Sequence, residues 1–564
     1  MYRTLITPRR LLGAALLLTA TSTLAAPRVL HTFGAAGSQR PHLPPSYLTA
    51  DDDAGLYGVT VASDGPNGTY YSLALPDEGG GLQSSAFEAA GVGGLYTGLV
   101  ASGDGDLVLG SNPFFGTGPT VFRWTPGSAP VNAVSDPADP TADPEEGYGG
   151  DFQPRGLFAA DGDGNVYLGG GRARTGNGLF RLTPEGRLDQ LVDFENYYQE
   201  IDNKHYYHKG QYPAALVADR DAGVLYGINV RHQSDVSGDP EAVPDGDETA
   251  GTLFRVDLSE AQAGGNTPVT VLHTFALNAE GGILSSDSGQ QALVQAGDRL
   301  YGTTTRALWR YRPGDPDSFA LVHTFGENAD DGDTPWGPLV VAEDGAVYGT
   351  TRRTTDGGAG TLFRVTPAGE GEDNYEVLHV FDVETDGALP VGLVPGPVTD
   401  GTQTLYGATA RGGNAGDTLG ASAGDLNDAA AGYGTLYAWD LALPADIRIS
   451  ADPQNLTRGD STTLSWTVTG GVNCVGEGDW AGNKALEGSE TLTPDLDGDY
   501  TYTLTCENND GGTASASVTV TVAPADSDAG GGDSGGGSSG GGGSLPLAAL
   551  GLFGLLLVTA IGVD

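Results

Sequence analysis

Short runs of alternating apolar and polar residues recur along most of the chain and predict β-strands throughout. The clearest runs are Gly-Thr-Leu-Phe-Arg-Val at 360–365, Val-Leu-His-Val-Phe at 377–381, Leu-Val at 393–394 and Leu-Tyr-Gly at 405–407. They are rich in β-branched and aromatic residues and are bounded by Gly, Pro and Asp, which is typical of strands rather than helices. Together they form a four-stranded unit, and seven copies of it, some degraded, fill most of the chain. Each copy can bury its apolar face only against its neighbours.

The second and third strands of each unit are the easiest to recognise. The second strand centres on a Tyr-Gly or Leu-Gly pair, at 57–58, 109–110, 168–169, 226–227, 301–302, 348–349 and 406–407. The third strand carries Leu-Phe-Arg or a variant of it, at 69–71, 120–124, 178–182, 251–256, 307–311, 360–365 and 434–439. Asp-Gly turns at 163–164 and 344–345 are expected to join the first strand to the second.

The fourth strand is displaced in the last unit. It ends three other units at 271–275, 321–325 and 377–381, but the seventh unit lacks it and an equivalent Val-Leu-His-Thr-Phe stands at 29–33. A ring of four-stranded sheets would leave an open edge where its ends meet, and a donated N-terminal strand would close that edge. We therefore predict an all-β fold: a seven-bladed β-propeller closed by an N-terminal strand. A linear β-solenoid is the alternative, although it would not need a displaced strand.

The repeated phrases also resemble a known family. Tyr-Gly-Thr-Thr, Gly-Thr-Leu-Phe-Arg-Val-Thr-Pro and Val-Leu-His-Thr-Phe look like the GloVer tandem repeat of the bacterial "choice-of-anchor" surface proteins, over roughly residues 28–443. The resemblance implies export and surface anchoring by one of several tail types. It implies no particular activity.

A second domain is predicted at 445–523, after a propeller at 27–443. Its strand-like runs at 462–468, 500–506 and 514–522 alternate apolar and polar residues, as a β-sandwich requires. Cys474 and Cys506 both fall here, and an even pair in an exported protein predicts a disulfide. Leu-Ser-Trp, Asn-Cys and Tyr-Thr-Leu-Thr-Cys resemble an immunoglobulin-like module of bacterial surface proteins, which implies a spacing role.

Both termini predict export. Residues 1–26 contain three arginines, an apolar run and small residues, as in a secretory signal peptide. A Gly/Ser-rich linker at 524–544 precedes an apolar segment at 545–563 that is long enough to cross a bilayer. This end resembles a GlyGly-CTERM sorting tail, but it finishes with Asp564 instead of a basic cluster. A retained membrane anchor and a cleaved tail therefore both remain open, and we expect a cell-surface or envelope-anchored protein, or one released after processing.

The charge balance excludes some partners. The chain has 73 acidic and 27 basic residues. Nucleic acid is excluded because phosphate binding needs a basic surface, and self-repulsion favours a monomer. Membrane contact is expected only through the C-terminal segment.

The candidate binding residues lie where loops have lengthened. Five long connections, at 136–151, 195–212, 231–250, 276–288 and 409–433, would all emerge on one face of a propeller, and such loops commonly carry function. The richest connection supplies the predicted binding residues for a glycan or a surface protein: Tyr197, Tyr198, His205, Tyr206, Tyr207, His208 and Tyr212. The alternative is a loop packed by its own aromatic side chains.

Residues that recur once per unit are interpreted as structural. These are His31, His273, His323 and His379, together with Arg123, Arg181, Arg255, Arg310 and Arg364, for which pairing with nearby carboxylates is expected. No cofactor is identified. Calcium is a candidate at Asp330, Asp331 and Asp333, where oxygen ligands stand at alternate positions, although the loop does not continue to the terminal Glu of a full EF-hand.

No catalytic motif is recognisable, and catalysis is not the favoured interpretation. The leading hypothesis is a non-catalytic binding or interaction protein that uses the long-loop face. The alternatives are a carbohydrate-active propeller enzyme (a glycoside hydrolase or lyase) and a purely structural envelope protein.

Overall fold

The computed structural model confirms an all-β chain. It describes residues 26–33, 48–50, 55–60, 69–74, 83–86, 95–103, 105–112, 121–125, 128, 131–134, 152–172, 178–194, 198–201, 204–207, 213–230, 233–235, 249–283, 292–328, 331–369, 371–399, 401–414, 416, 432, 434–509 and 511–524. Helix is limited there to one turn, α1 (Leu277–Glu280), and to short 3-10 segments at Leu258–Glu260, Pro316–Ser318 and Gly478–Trp480.

Seven four-stranded sheets occupy the propeller region of the described chain. The first contains β2 (Leu48–Ala50), β3 (Gly55–Thr60), β4 (Thr69–Ala74) and β5 (Gln83–Ala86). The second contains β6 (Leu95–Ala101), β7 (Leu107–Asn112), β8 (Val121–Trp124) and β9 (Val131–Asn132). The third contains β10 (Phe152–Ala160), β11 (Val166–Arg172), β12 (Gly178–Leu182) and β13 (Leu188–Asp193).

The later sheets repeat this order. Before the fourth sheet come β14 (Tyr198–Ile201) and β15 (Lys204–Tyr207). The fourth sheet contains β16 (Pro213–Asp219), β17 (Val224–Asn229), β19 (Thr249–Asp257) and β20 (Thr270–Ala276), with β18 (Gln233–Asp235) between β17 and β19. The fifth contains β21 (Leu293–Ala296), β22 (Arg299–Thr303), β23 (Ala307–Tyr311) and β24 (Ala320–Thr324). The sixth contains β25 (Val340–Val341), β26 (Val347–Thr351), β27 (Thr361–Thr366) and β28 (Asn374–Val380).

The last sheet confirms the prediction of a donated strand. It contains β29 (Ala388–Thr399), β30 (Thr402–Arg411) and β31 (Thr435–Ala442), and its outer strand is β1 (Arg28–Thr32) from the N-terminus. β1 pairs antiparallel with β31, with Thr32 opposite Thr435. The edge of β31 is therefore covered.

The sheets surround a common axis, as in a β-propeller. Their first strands contact one another in chain order, from β2 through β6, β10, β16, β21 and β25 to β29, and β29 contacts β2. Buried side chains fill the space between neighbouring sheets; one such cluster joins Tyr226 and Phe275 of the fourth sheet to Trp309 of the fifth.

The glycine of the Tyr-Gly pair has a packing role. Gly302 lies directly opposite Trp309, and Gly349 lies opposite Phe363. A Cβ on either glycine would overlap the aromatic ring of the opposite residue. The second strand therefore needs glycine so that the ring of the third strand can lie across it.

The remaining strands form two sheets of a β-sandwich. One sheet contains β32 (Asp446–Asp452), β34 (Thr462–Thr469) and β37 (Glu487–Leu492). The other contains β33 (Asn455–Thr457), β35 (Asn473–Gly476), β36 (Gly482–Lys484), β38 (Gly498–Glu507) and β39 (Thr513–Ala523). Cys474 and Cys506 form the predicted disulfide. The bond joins paired residues of neighbouring strands within one sheet.

The predicted signal peptide core and C-terminal segment lie outside the described residues. Among the described residues, no helix has the length and apolar character needed to span a bilayer.

Candidate functional site

Two connections of the described propeller meet at one end of its sheets. The connection 326–339, which leads from the fifth to the sixth sheet, is bridged to the end of β26 at Pro335↔Thr351 and to the loop 352–360 between β26 and β27 at Gly332↔Thr354. We call this the long-loop face: it carries the connections between sheets and the loops between second and third strands. The short-turn face is the opposite one, which carries turns such as Gly401 between β29 and β30.

The sandwich is attached to the short-turn face. The Asn509 side-chain amide donates to the Thr402 hydroxyl at 3.0 Å, and the Asn508 amide donates to the Leu443 carbonyl at 3.3 Å. A groove of about 920 Å³ follows this junction, with Val398 from the propeller and Leu486 from the sandwich among its lining residues. The long-loop face is therefore the face without the sandwich.

The predicted aromatic insertion forms a small sheet on the long-loop face. β14 and β15, from the connection between the third and fourth sheets, pair with each other, and β15 pairs with β18 from the loop between β17 and β19. Two separate long connections thus join in a single platform. The strand pairing gives it a defined backbone, which a loop packed only by its own side chains would lack.

Four of the seven predicted binding residues, Tyr198, His205, Tyr206 and Tyr207, lie in the strands of this small sheet. Tyr198 pairs with Tyr207, and His205 lies between Glu200 and Ser234. Tyr206 lies between Gln199 and Gln233. Tyr197, His208 and Tyr212 lie outside the described residues.

A second feature of the long-loop face is a group of arginines, which we call the arginine site: Arg352, Arg353 and Arg411, with Trp336 beneath them. The Arg352 guanidinium lies over the Trp336 ring at 4.7 Å from its centroid. Burial, and then the like charges of Arg353 and Arg411, lower the pKa of Arg352, while the Asp333 carboxylate opposes this shift. The three cations are therefore close enough to repel one another.

Backbone hydrogen bonds hold the arginine site in place. The Arg352 N–H donates to the Thr334 carbonyl at 2.7 Å, and the Asp333 N–H donates to the Arg353 carbonyl at 2.9 Å. The Trp336 N–H donates to the Thr350 carbonyl at 2.9 Å. Backbone hydrogen bonds thus join two connections at Arg352 and Arg353, so a rigid backbone presents these guanidinium groups.

Sequence reasoning missed the arginine site, although a signal was present. In five of the seven units an arginine follows the glycine of the second strand after three or four residues, at 172, 231, 306, 352 and 411. In a chain with 27 basic residues, this recurrence at one position marks the end of the second strand as locally cationic.

The recurring histidines are structural, as expected, and they join neighbouring sheets. The His323 Nε2 lies 2.9 Å from the buried Asp331 carboxylate, and its ring stacks on Tyr375 of the next sheet at 3.7 Å. The His273 ring pairs with Glu280 and stacks on Phe319 in the same way. Each such histidine, carboxylate and aromatic set, which we call an inter-sheet latch, links one sheet to the next.

The third-strand arginines form the expected ion pairs with nearby carboxylates. The carboxylate partners are Asp106 for Arg123, Asp189 for Arg181, Asp257 for Arg255, Asp373 for Arg310 and Glu376 for Arg364. Burial opposes ionisation of Asp189, but hydrogen bonds from Arg187 and Arg181 hold the pKa of its carboxyl below the usual value. These arginines belong to the scaffold.

Two of the calcium candidates, Asp331 and Asp333, accept hydrogen bonds from other groups of the protein. The Asp331 carboxylate accepts hydrogen bonds from the Gly326 N–H and the Tyr375 hydroxyl, in addition to its contact with His323. Asp333 accepts a hydrogen bond from Thr334, and Asp330 lies outside the described residues. Within the ranges that the structure describes, no group of three or more His, Cys, Asp or Glu side chains is placed to hold a metal ion.

Comparison with known proteins adds only distant similarities. No protein-family profile matches the chain, and no curated protein is detectably similar to it. One similar structure is PorZ, an essential surface component of the type-IX secretion system of Porphyromonas gingivalis, at 12% identity, 87% coverage of this chain, 61% of PorZ and TM-score 0.41. The chain thus spans 61% of the length of PorZ.

Two further similarities are to a putative sensor and an enzyme. The extracellular domain of the putative hybrid two component system BT3049 from B. thetaiotaomicron is 11% identical, with 84% of this chain and 67% of that chain covered and TM-score 0.31. The alpha-L-arabinanase of Penicillium chrysogenum is 10% identical, with 74% and 99% covered and TM-score 0.34. All three are weak in sequence and geometry, so the fold assignment depends on the strand pairing above.

Proposed function

We propose that this protein is exported, tethered to the cell surface by its C-terminal segment, and binds a surface ligand without catalysis through the long-loop face of a seven-bladed propeller. In this proposal the repeats are of the GloVer type, and the sandwich is an immunoglobulin-like stalk between the propeller (27–443) and the linker (524–544). The C-terminal segment at 545–563 serves as anchor or sorting signal.

The observation that carries the proposal is that the chain leaves the sandwich at the end opposite to its contact with the propeller. Its β38 is followed by Asn508 and Asn509, which contact the propeller, whereas the neighbouring β39 ends at Ala523 beside the opposite end of β38. β38 has ten residues, which span about 34 Å at about 3.4 Å per residue. The chain thus leaves for its linker far from the propeller, and a tether at that end turns the long-loop face outward.

The outward face also carries the features suited to recognition. The β14–β15–β18 platform and the arginine site both belong to it, and both are built from connections rather than from repeated strands. Loops held on a rigid scaffold are where binding residues commonly lie.

A glycan and surface-protein array tests the proposal. Full-length protein in detergent is compared with a variant lacking residues 198–207, in which β14 and β15 are removed. A matched control removes an equal length, 525–534, from the linker. We expect selective binding that the platform deletion weakens and the linker deletion does not. Absence of binding by folded protein, or equal binding by both variants, would contradict a role for this platform.

A further inference from the structure

Arg352 and Arg353 of the arginine site differ from the ion-paired arginines of the scaffold. Within the described residues, neither the Arg352 nor the Arg353 guanidinium forms an ion pair or a side-chain hydrogen bond with a carboxylate. The chain has 73 acidic residues to 27 basic ones, so carboxylates are not scarce. A partly buried cation without an ion-pair partner costs free energy, because the nearby charge of Asp333 replaces its lost hydration only in part. Such a cation is well suited to a bound anion.

Two buried donors at the same place also lack acceptors. In the described part of the chain, the Trp336 indole nitrogen and the Arg352 Nε have no hydrogen-bond partner. Trp336 is 6% exposed, so water reaches its ring only slightly. A buried N–H without an acceptor is unfavourable. An oxyanion held by the outer nitrogens of the Arg352 guanidinium would offset part of this cost.

We propose that the arginine site binds an acidic saccharide, with Arg352 and Arg353 holding a carboxylate of the sugar chain. This inference rests on the proposed function and names the ligand class of its long-loop face. Guanidinium groups match carboxylates in shape and charge, and their hydrogen bonds to an ionised partner are among the strongest in proteins.

The surroundings of the site favour a saccharide over an acidic peptide. Asp356 lies on the same loop as Arg352 and Arg353, and Asp333 lies on the connection 326–339 bridged to it; both bring hydrogen-bond acceptors. The hydroxyl groups of a sugar can donate to these carboxylates, whereas further carboxylates of an acidic peptide would be repelled by them and by a net charge of −46. A saccharide that carries neutral hydroxyls beside each acid group therefore fits both the cationic centre and the acidic surroundings.

The test measures binding of three probes to full-length protein in detergent: a short oligogalacturonate, the same oligomer with its carboxyls methyl-esterified, and an oligoglutamate. The variants are R352Q, R353Q and R352K. The matched control is R220Q, because Arg220 is exposed in the turn between β16 and β17 on the short-turn face and makes no ion pair among the described residues. Thermal unfolding verifies that each variant is folded.

We expect oligogalacturonate to bind, with affinity reduced about tenfold or more in R352Q and R353Q and unchanged in R220Q. R352K should be intermediate, since it keeps the charge but loses the fork of donors. The methyl ester should bind weakly. Equal binding of the methyl ester, tighter binding of oligoglutamate, unchanged affinity in R352Q and R353Q, or no binding of oligogalacturonate would overturn the inference.

The two proposals fail in different ways. Selective binding of a neutral glycan or a protein on the array, unaffected by R352Q, would leave the proposed function standing and refute the acidic-saccharide inference. Silence on the array together with no oligogalacturonate binding would refute both.

Discussion

Gly401 and Gly470 pack backbone against backbone where the propeller meets the sandwich, and a Cβ on Gly401 would have no room beside Gly470. Both residues have positive φ, at 74° each. The Gly401 carbonyl also accepts a hydrogen bond from the Leu443 N–H at 2.9 Å. This close contact holds the sandwich against the short-turn face, and the outward direction of the long-loop face depends on it.

Replacing Gly401 by alanine should therefore cost more than replacing an unobstructed glycine. We expect G401A to lower the unfolding free energy by about 1–2 kcal/mol for the left-handed backbone and by about 1–3 kcal/mol more for the overlap. Gly459 is the matched control, because its φ is 95° and nothing lies within 4 Å of its would-be Cβ. Denaturant unfolding measures the unfolding free energy of both variants. Equal losses in G401A and G459A would show that the Gly401–Gly470 contact does not contribute to stability.

Closure of the ring should depend on the donated strand. Phe33 is 7% exposed, and its N–H donates to the Gly434 carbonyl at 3.0 Å. We expect F33A to destabilise the propeller by about 3–5 kcal/mol, as for a buried aromatic. Val131 in β9 is 62% exposed, so V131A serves as control and should cost no more than about 0.5 kcal/mol. If the melting temperature of F33A matches that of V131A, β1 does not stabilise the ring.

The donated strand was predictable because its sequence is a displaced copy. Residues 29–33 repeat the phrase at 271–275, and a closed ring explains why this copy lies at the N-terminus. The disulfide was predictable because the chain has two cysteines and both fall in one small domain. In each case the sequence limits the partner to one choice.

The parts of the candidate site were harder to predict because they depend on contacts between unlike segments. Gln233–Asp235 matches no repeat, and its pairing with β15 follows from the fold bringing two connections together. Arg352 and Trp336 likewise meet only because the 326–339 connection bridges the loop after β26. The latch carboxylates were not predictable for the same reason: the acidic neighbours of Asp331 in the sequence favour a calcium ligand, whereas its burial makes it a partner of His323.

The inter-sheet latch around Asp331 should contribute strongly to stability. Asp331 is 4% exposed and accepts from His323, Gly326 and Tyr375. We expect D331A to cost about 3–5 kcal/mol, because three donors lose one buried acceptor. Asp298 is the control: its side chain is 70% exposed in a surface ion pair with Arg312, so D298A should cost at most about 1 kcal/mol. Similar unfolding free energies for the two variants would show that the latch is dispensable.

Acidification should weaken the last sheet through His31. Burial lowers the pKa of His31 from 6.5, and its ring lies 4.9 Å from the ring of Phe33. The unfolded chain therefore takes up this proton at higher pH than the folded protein, and the unfolding free energy falls as pH drops below about 6.5. We expect H31Q to remove up to about 1.4 kcal/mol per pH unit from this slope, measured by denaturant unfolding between about pH 7.5 and pH 5.5. The same slope in H31Q and the natural protein would exclude His31 as the source.

The disulfide should stabilise the sandwich and leave the propeller unchanged. Cys474 and Cys506 are separated by 32 residues, and closing a loop of that size contributes about 3–4 kcal/mol by limiting the unfolded chain. Both sulfur-bearing residues belong to the sandwich core, apart from the clusters between propeller sheets. Replacing both with serine should therefore lower the temperature of a sandwich transition in calorimetry, while a second transition from the propeller stays in place. A parallel fall of both transitions would mean that the two domains unfold as one unit, and the Gly401–Gly470 contact would then be the coupling to test, by combining G401A with the cysteine replacements.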